Sequence, residues 1–233
     1  MSRIVNQKEF TAKRNEILDF AQKLIYTKGY TQMTIQDILD GLKISKGALY
    51  HYFYSKEKIL EALVDRMGEN AKRYIITIEQ DKNLSAIQKF HSYITSSASW
   101  KNQQKELIIS LMRMWYTDDN LFIRQKLNNE SMKYVSPFFE SIIRQGIKEK
   151  VFKTRFPAQV AIIISGIALS LSDTIIELLI SNPKQPSFQR FEDIMDAYFE
   201  TIEHILQAPS GSLKVRELSD FKDWFGVIQP KTK

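Results

Sequence analysis

The sequence predicts an all-α protein, on three observations. Its first proline is Pro137 and only four glycines precede it, so long stretches run without the punctuation that strands and tight turns need. Apolar residues recur at three- and four-residue spacings through most of the chain. Residues that cap helices, Thr34, Ser45 and Ser55 among them, stand just ahead of those stripes.

Ile17, Leu18, Ala21, Leu24 and Ile25 form one such stripe, which predicts a helix over 11–28 closed by Gly29. Thr34 and Asp37 fit the two ends of a capping box, and Ile35, Ile38, Leu39 and Leu42 supply the buried face of a short second helix. Ser45 caps a third helix running through Tyr52, and Ser55 caps a fourth that begins at Lys56. Longer helices are expected over 56–80, 84–98, 103–116 and 121–150. Ser136-Pro137 falls inside the last of these, where it either starts a new helix or kinks the old one. Pro157 opens a further helix, and Phe188, Phe191, Ile194, Met195, Tyr198, Ile202 and Ile205 predict an amphipathic one over 187–207. Residues 208–233, with Pro209, Gly211 and Pro230, read as a loose tail carrying one short helix around Phe221 to Phe225.

Composition narrows the function. The chain has 233 residues, 43% apolar and 26% charged, enough for one large or two modest globular domains. It has no cysteine and three scattered histidines, which excludes disulfide frameworks and Cys-based clusters and leaves little for a metal, so no cofactor is expected. A glycine-rich phosphate loop and a His-Glu-x-x-His pair are both missing. Ser55 and Lys58 have the Ser-x-x-Lys spacing of an acylating enzyme class, but its companion motifs are missing and a helix cap explains Ser55; no enzyme is expected. The start, MSRIVNQKEF, lacks the apolar region of a secretory signal, which favours a cytoplasmic protein. The run Val160 to Ile180 is nearly continuously apolar, yet Asp173 and Glu177 interrupt it, so no membrane insertion is expected. A helix apolar on every side must be covered on every side, either at a homodimer interface or wholly inside the core. Ser165, Gly166, Ala168 and Ser170 would allow close packing there.

The net charge of +6 is unevenly placed: residues 1–58 carry ten Lys or Arg against six Asp or Glu. Either a solvated basic face or an anionic partner explains that excess. Residues 34–53, TIQDILDGLKISKGALYHYF, read as two short helices joined by a tight turn, the plan of a helix-turn-helix. The second helix is short enough to lie in a major groove, and Ser45, Lys46, Gly47 and Ala48 at its start are small or cationic. Tyr50 and His51 follow with hydrogen-bond donors, Tyr50 with its ring expected in the core, and Lys56 begins the next helix.

These residues resemble the tetracycline-repressor (TetR) family of bacterial transcription regulators. SKGALYHYFYSKEKILEAL, residues 45–63, is similar to that family's recognition helix and following helix; Thr34, Ile38 and Gly29-Tyr30 match the preceding part. The resemblance is strong over 11–63, with a weaker echo in GIKEKVF, Pro157 and Gly166 before and within the family's dimerisation helix. It implies that Thr34, Ser45, Lys46, Gly47, Tyr50, His51 and Lys56 contact double-stranded DNA, and Ala48, small and at the same helix start, is a candidate beside them. Two residues depart from the family's pattern: Lys43 where Gly is usual in the turn, and Leu39 where Ala is usual. Lys43 is then expected in a left-handed backbone conformation.

The region 84–155 is rich in Met and aromatic residues, which suit either a core or an apolar pocket. Phe90, Tyr93, Met112, Trp115, Phe122, Tyr134 and Phe138 are the candidates for the effector site that the resemblance implies. The expected organisation is a DNA-binding domain over 1–58, a sensing and dimerisation domain over 59–207 and a tail over 208–233. The expected function is a homodimeric repressor released from a palindromic operator by a small apolar or amphipathic effector. A DNA-binding dimer without an effector, and an enzyme or carrier with a vestigial helix-turn-helix, are the alternatives.

Overall fold

The structure, a computed structural model, describes residues 7–105, 107–109, 112, 121–181, 188–215 and 221–227; within these, the side chains at 121–124, 126, 127, 180, 181, 223, 226 and 227 lie outside the description. Among the described residues there are nine helices and no strand: α1 (Gln7–Lys28), α2 (Ile35–Leu42), α3 (Lys46–Tyr50), α4 (Lys56–Gln80), α5 (Ala86–Gln103), α6 (Leu121–Lys148), α7 (Pro157–Ser181), α8 (Phe188–Leu206) and α9 (Lys222–Val227). Residues 107–109 and Met112 are also helical; the rest of the helix expected over 103–116 lies outside the described residues, apart from the end of α5 and Lys105. Contacts divide the chain into two compact units, 1–67 with 106–124, and 68–105 with 125–233.

The first unit is built on α1, whose Ile17, Leu18, Ala21 and Ile25 are buried with Met33, Ile38, Leu49, Phe53, Ile59, Leu60 and Leu63. Helix α1 begins one turn earlier than the apolar stripe suggests. Phe10 accounts for the extra turn, since its ring packs on His51 and Tyr52 at 5.6 and 4.8 Å. Gly29 closes the helix at φ 81°, its N–H donating to the Ile25 carbonyl at 2.9 Å.

The second unit centres on an aromatic core in which Phe90, Phe138, Phe139, Phe191 and Phe199 are almost wholly buried. Helix α5 starts on a capping box of Ser85 and Gln88. Helix α6 runs unbroken through Pro137, which settles the choice left open by the sequence. Pro137 and Lys133, the residue whose carbonyl loses its donor, are both exposed, so water can take the place of the missing bond. After α6 the backbone folds back, with the N–H groups of Val151 and Phe152 donating to the Gly146 carbonyl at 2.9 and 3.1 Å.

Helix α7 is not an internal core helix. Ala161, Ile164, Ser165 and Leu179 are buried, but Ile162 and Ile163 are 57% and 53% exposed. By length and composition Pro157–Leu179 could cross a membrane, and only 17% of its most apolar stretch is buried. Nor are the described residues after α8 loose. Glu203, itself buried, accepts the backbone N–H groups of Gly211 and Leu213 at 2.7 Å each. Leu213, Val215, Trp224 and Phe225 are buried, the last with its ring 5.4 Å from Phe191. A buried carboxylate with two backbone donors is what holds this irregular stretch in place.

The Phe152 ring, 4% exposed, leaves no room above Gly146: a Cβ there would stand 2.0 Å from it. Gly146→Ala should therefore destabilise the protein by about 1–3 kcal/mol through overpacking, more than the roughly 1 kcal/mol that alanine gains in helix propensity. Urea denaturation would show this as a lowered midpoint; an unchanged midpoint would mean that the ring yields freely.

Candidate nucleic-acid interface

Thr34 caps α2 with all its local polar groups engaged. Its Oγ1 accepts from the Asp37 N–H at 3.1 Å, while its own N–H and hydroxyl both donate to Asp37 Oδ2 at 2.7 Å. Lys28 forms an ion pair with the same carboxylate. These hydrogen bonds from Lys28 and Thr34 hold the Asp37 carboxyl down to about 2, well below its ordinary 3.8. Helix α2 ends at Lys43, which adopts the expected left-handed conformation (φ 52°, ψ 43°), with its N–H and that of Ile44 both directed to the Leu39 carbonyl. Leu39 itself is buried.

Ser45 then caps α3, its Oγ accepting from the Ala48 N–H at 3.2 Å. Only Leu49 of this helix points inward, at 0% exposure. Ser45, Lys46, Gly47, Ala48, Tyr50 and His51 are all exposed, and they form one continuous outward surface. The placement of Tyr50 corrects the expectation that its ring belongs to the core. With Leu49 taking the inward position, the next residue is rotated about 100° around the helix, and the Tyr50 ring is 39% exposed with Lys46 Nζ 5.7 Å above it. Gly47 has no atom within 4 Å of where a Cβ would stand, so nothing inside the protein requires a glycine there.

Lys56 is set differently from Lys46. Its Nζ donates to the Thr31 carbonyl at 3.2 Å and lies 4.3 Å over the Tyr30 ring, and partial burial lowers its pKa. Phe10, Arg14 and Tyr52 were not singled out from the sequence. Phe10 and Tyr52 flank His51, and the Arg14 guanidinium stands 5.0 Å over Phe53. A spacing rule within α1 would not find Phe10, because its partner is 41 residues away.

Of the effector candidates, Phe90, Tyr93 and Phe138 come together in the second unit: Tyr93 lies 5.1 Å from Phe138 and 5.3 Å from Phe139, and Phe139 lies 6.1 Å from Phe90. Tyr134 is near enough to Tyr93 to affect its ionisation. Met112 is buried and falls in the first unit. Trp115 and the side chain of Phe122 lie outside the described residues. Among the described residues no group of three acidic or histidine side chains could hold a metal ion.

The family profile for bacterial regulatory proteins, tetR family, matches residues 17–63, and that for the tetracyclin repressor-like C-terminal domain matches residues 108–178, together just over half of the chain. The chain belongs to the tetR family. A member of this family is a DNA-binding transcriptional regulator, and here the helix-turn-helix is α2 and α3. An uncharacterized HTH-type transcriptional regulator in the lacX 3' region of Lactococcus lactis is 44% identical over 52 residues, which are 22% of this chain and 26% of that protein. The match thus spans about a quarter of that relative's length. The fatty acid metabolism regulator protein of Bacillus subtilis is 27% identical over 157 residues, 66% of this chain and 78% of its own. In fold, the chain resembles a TetR-family regulator from Pectobacterium atrosepticum, with a TM-score of 0.61 and 16% identity over 88% of this chain and 99% of that one.

Two outcomes follow from the local geometry. Lys43→Gly should raise stability by about 1 kcal/mol by relieving the left-handed conformation, read as a higher unfolding midpoint; a lower one would show that the lysine is not strained. Asp37 stabilises the fold fully above its unfolded pKa, and that contribution disappears as pH falls through about 2. The melting-temperature gap between the parent protein and Asp37→Asn should therefore be widest above about pH 4 and narrow towards pH 2. A gap that is constant across this range would contradict the assignment.

Proposed function

We propose that this regulator is a cytoplasmic homodimer that represses transcription from an inverted-repeat operator and is released by a small apolar or amphipathic effector. The outward surface of α3 carries the reading. Its exposed residues are small, cationic or hydroxyl-bearing, and Lys46 has no acidic partner among the described residues. Gly47 stands in open space where another backbone can approach closely. In this reading Lys46 and Lys56 supply charge to phosphates, Thr34, Ser45, Tyr50 and His51 supply hydrogen bonds, and Gly47 and Ala48 allow contact. Lys56 would exchange its bond to Thr31 for a phosphate.

The division of labour is residues 1–58 for DNA, 59–207 for sensing and dimerisation and 208–233 as a tail, whose Leu213, Val215, Trp224 and Phe225 are buried. Dimerisation through α7 is supported by Phe156, Ile162 and Ile163, three large apolar residues more than half exposed in the single chain. That face also offers an explanation of the apolar helix other than a membrane. The effector belongs with the aromatic residues of the second unit, and the name of the Bacillus relative, for fatty acid metabolism, agrees with an apolar ligand. Neither catalysis nor a metal enters this scheme.

Selection of bound duplexes from a random pool should recover an inverted repeat with half-sites about 34–36 Å apart or a multiple of that. Sedimentation at micromolar concentration should give twice the chain mass. Lys46→Ala should weaken binding across sequences and reduce the salt slope by about one unit. Gly47→Ala should lose operator affinity while keeping or raising stability, and Tyr50→Phe should lose affinity at unchanged stability. An asymmetric site, or operator binding by Gly47→Ala as tight as the parent's, would refute the arrangement.

A further inference from the structure

The turn between α2 and α3 places a lysine where the backbone favours glycine. At φ 52° and ψ 43° the Cβ of Lys43 crowds the carbonyl oxygen that follows it, a conformation that glycine adopts freely and that asparagine or aspartate reach more readily than a long side chain. The backbone enforces it: the N–H groups of Lys43 and Ile44 both close on the Leu39 carbonyl, the second at 3.1 Å. The side chain makes no contact that offsets this. It is exposed, and among the described residues no ion pair, hydrogen bond or ring engages its ammonium. Asp40, the carboxylate nearest in sequence, accepts from Gln36 at 2.7 Å instead.

Other cations of this unit are set differently. Lys13, Lys28, Lys58 and Arg66 meet carboxylates, Arg14 lies over Phe53, and Lys56 is bound to the Thr31 carbonyl. Lys23 is exposed as well, but it stands in the regular helix α1, where a lysine is readily accommodated. At Lys43 an exposed cation occupies a position that penalises it. Its place in the chain supplies a reason. Lys43 precedes the Ser45 cap by two residues and the start of α3 by three, so its Cα lies within about 11 Å of the outward surface. A recognition helix enters a major groove about 12 Å wide by its N-terminal end. The segment just ahead of that helix then runs beside the sugar-phosphate strand edging the groove, and a cation there meets phosphate rather than bases. Balance of the α2 dipole is the competing explanation, since positive charge is favourable at a helix C-terminus.

We propose that Lys43 is a phosphate-contacting residue outside the recognition helix, one that strengthens binding to any duplex without selecting among sequences. The proposal rests on the DNA-facing reading of α3 given above and extends that surface back into the turn.

Binding of the full chain to a fluorescent duplex of arbitrary sequence, about three helical turns long, is followed by anisotropy from about 50 to about 200 mM salt. Lys43→Gln removes the charge and keeps a side chain on the left-handed backbone. It should lower the salt slope by about 0.9 per bound chain, so that its deficit shrinks about 3.5-fold per chain over that range. Lys43→Arg should keep the parent slope. Lys43→Gly should melt higher than the parent and still lose the same slope, a combination that separates contact from folding. Lys46→Ala, run alongside, tests the surface as such. A Lys43→Gln slope equal to the parent's, with the Lys46→Ala slope reduced, would overturn this proposal and leave the surface standing. Slopes unchanged in both variants would overturn the two together. A Lys43→Gln protein that melts lower and keeps the parent slope would show that the lysine serves the α2 dipole, which also overturns the proposal. So would a loss seen on a selected operator and not on the arbitrary duplex, because a phosphate contact is blind to sequence.

Discussion

The burial of Leu49 and Phe53 is the constraint on which the outward face of α3 depends, because a five-residue helix closes too few hydrogen bonds to persist alone. Leu49 contributes nothing to the outer surface and fixes everything on it. Once its side chain is buried, as Ile17, Leu18 and Ile38 of the same unit are, the rotation of α3 is set and Lys46, Gly47 and Tyr50 must face away. The rest of the unit serves that seat. Lys43 accepts an unfavourable backbone conformation so that α3 can leave α2 in the required direction, and Phe10 adds a turn to α1 to cover the far end at His51 and Tyr52.

Local features were the legible ones. The caps at Thr34, Ser45 and Ser55, the terminator Gly29 and the left-handed Lys43 all follow from a few neighbouring residues, and the structure places each as the sequence implies. Legibility fell off wherever the deciding partner was distant. Pro137 could not be resolved because solvent exposure, not the Ser-Pro pair, decides whether a helix tolerates it. Tyr50 was assigned to the core by its apolar ring, although the burial of its neighbour decided the matter. The segment after α8 reads as loose because its prolines and glycines are visible in the sequence and the bonds from Gly211 and Leu213 to the Glu203 carboxylate are not.

The candidate effector residues show the same limit in a different form. A search for Met and aromatic side chains finds Phe90, Tyr93 and Phe138, which do gather, but gives no reason to weigh the polar residues between them.

Glu203 has a further bearing on where the regulatory unit can be cut. Its carboxylate replaces the solvent that Gly211 and Leu213 would otherwise need, while the Phe225 ring packs on Phe191 and Trp224 Nε1 donates to Asn102 Oδ1 on α5. A chain shortened to Gln207 would keep every residue of α1–α8 and still lose part of its architecture: an acid without donors would be left beside newly uncovered phenylalanines. The described residues after α8 therefore behave as a keystone for the helices they follow, and the folded part of this regulator extends beyond its last long helix to α9.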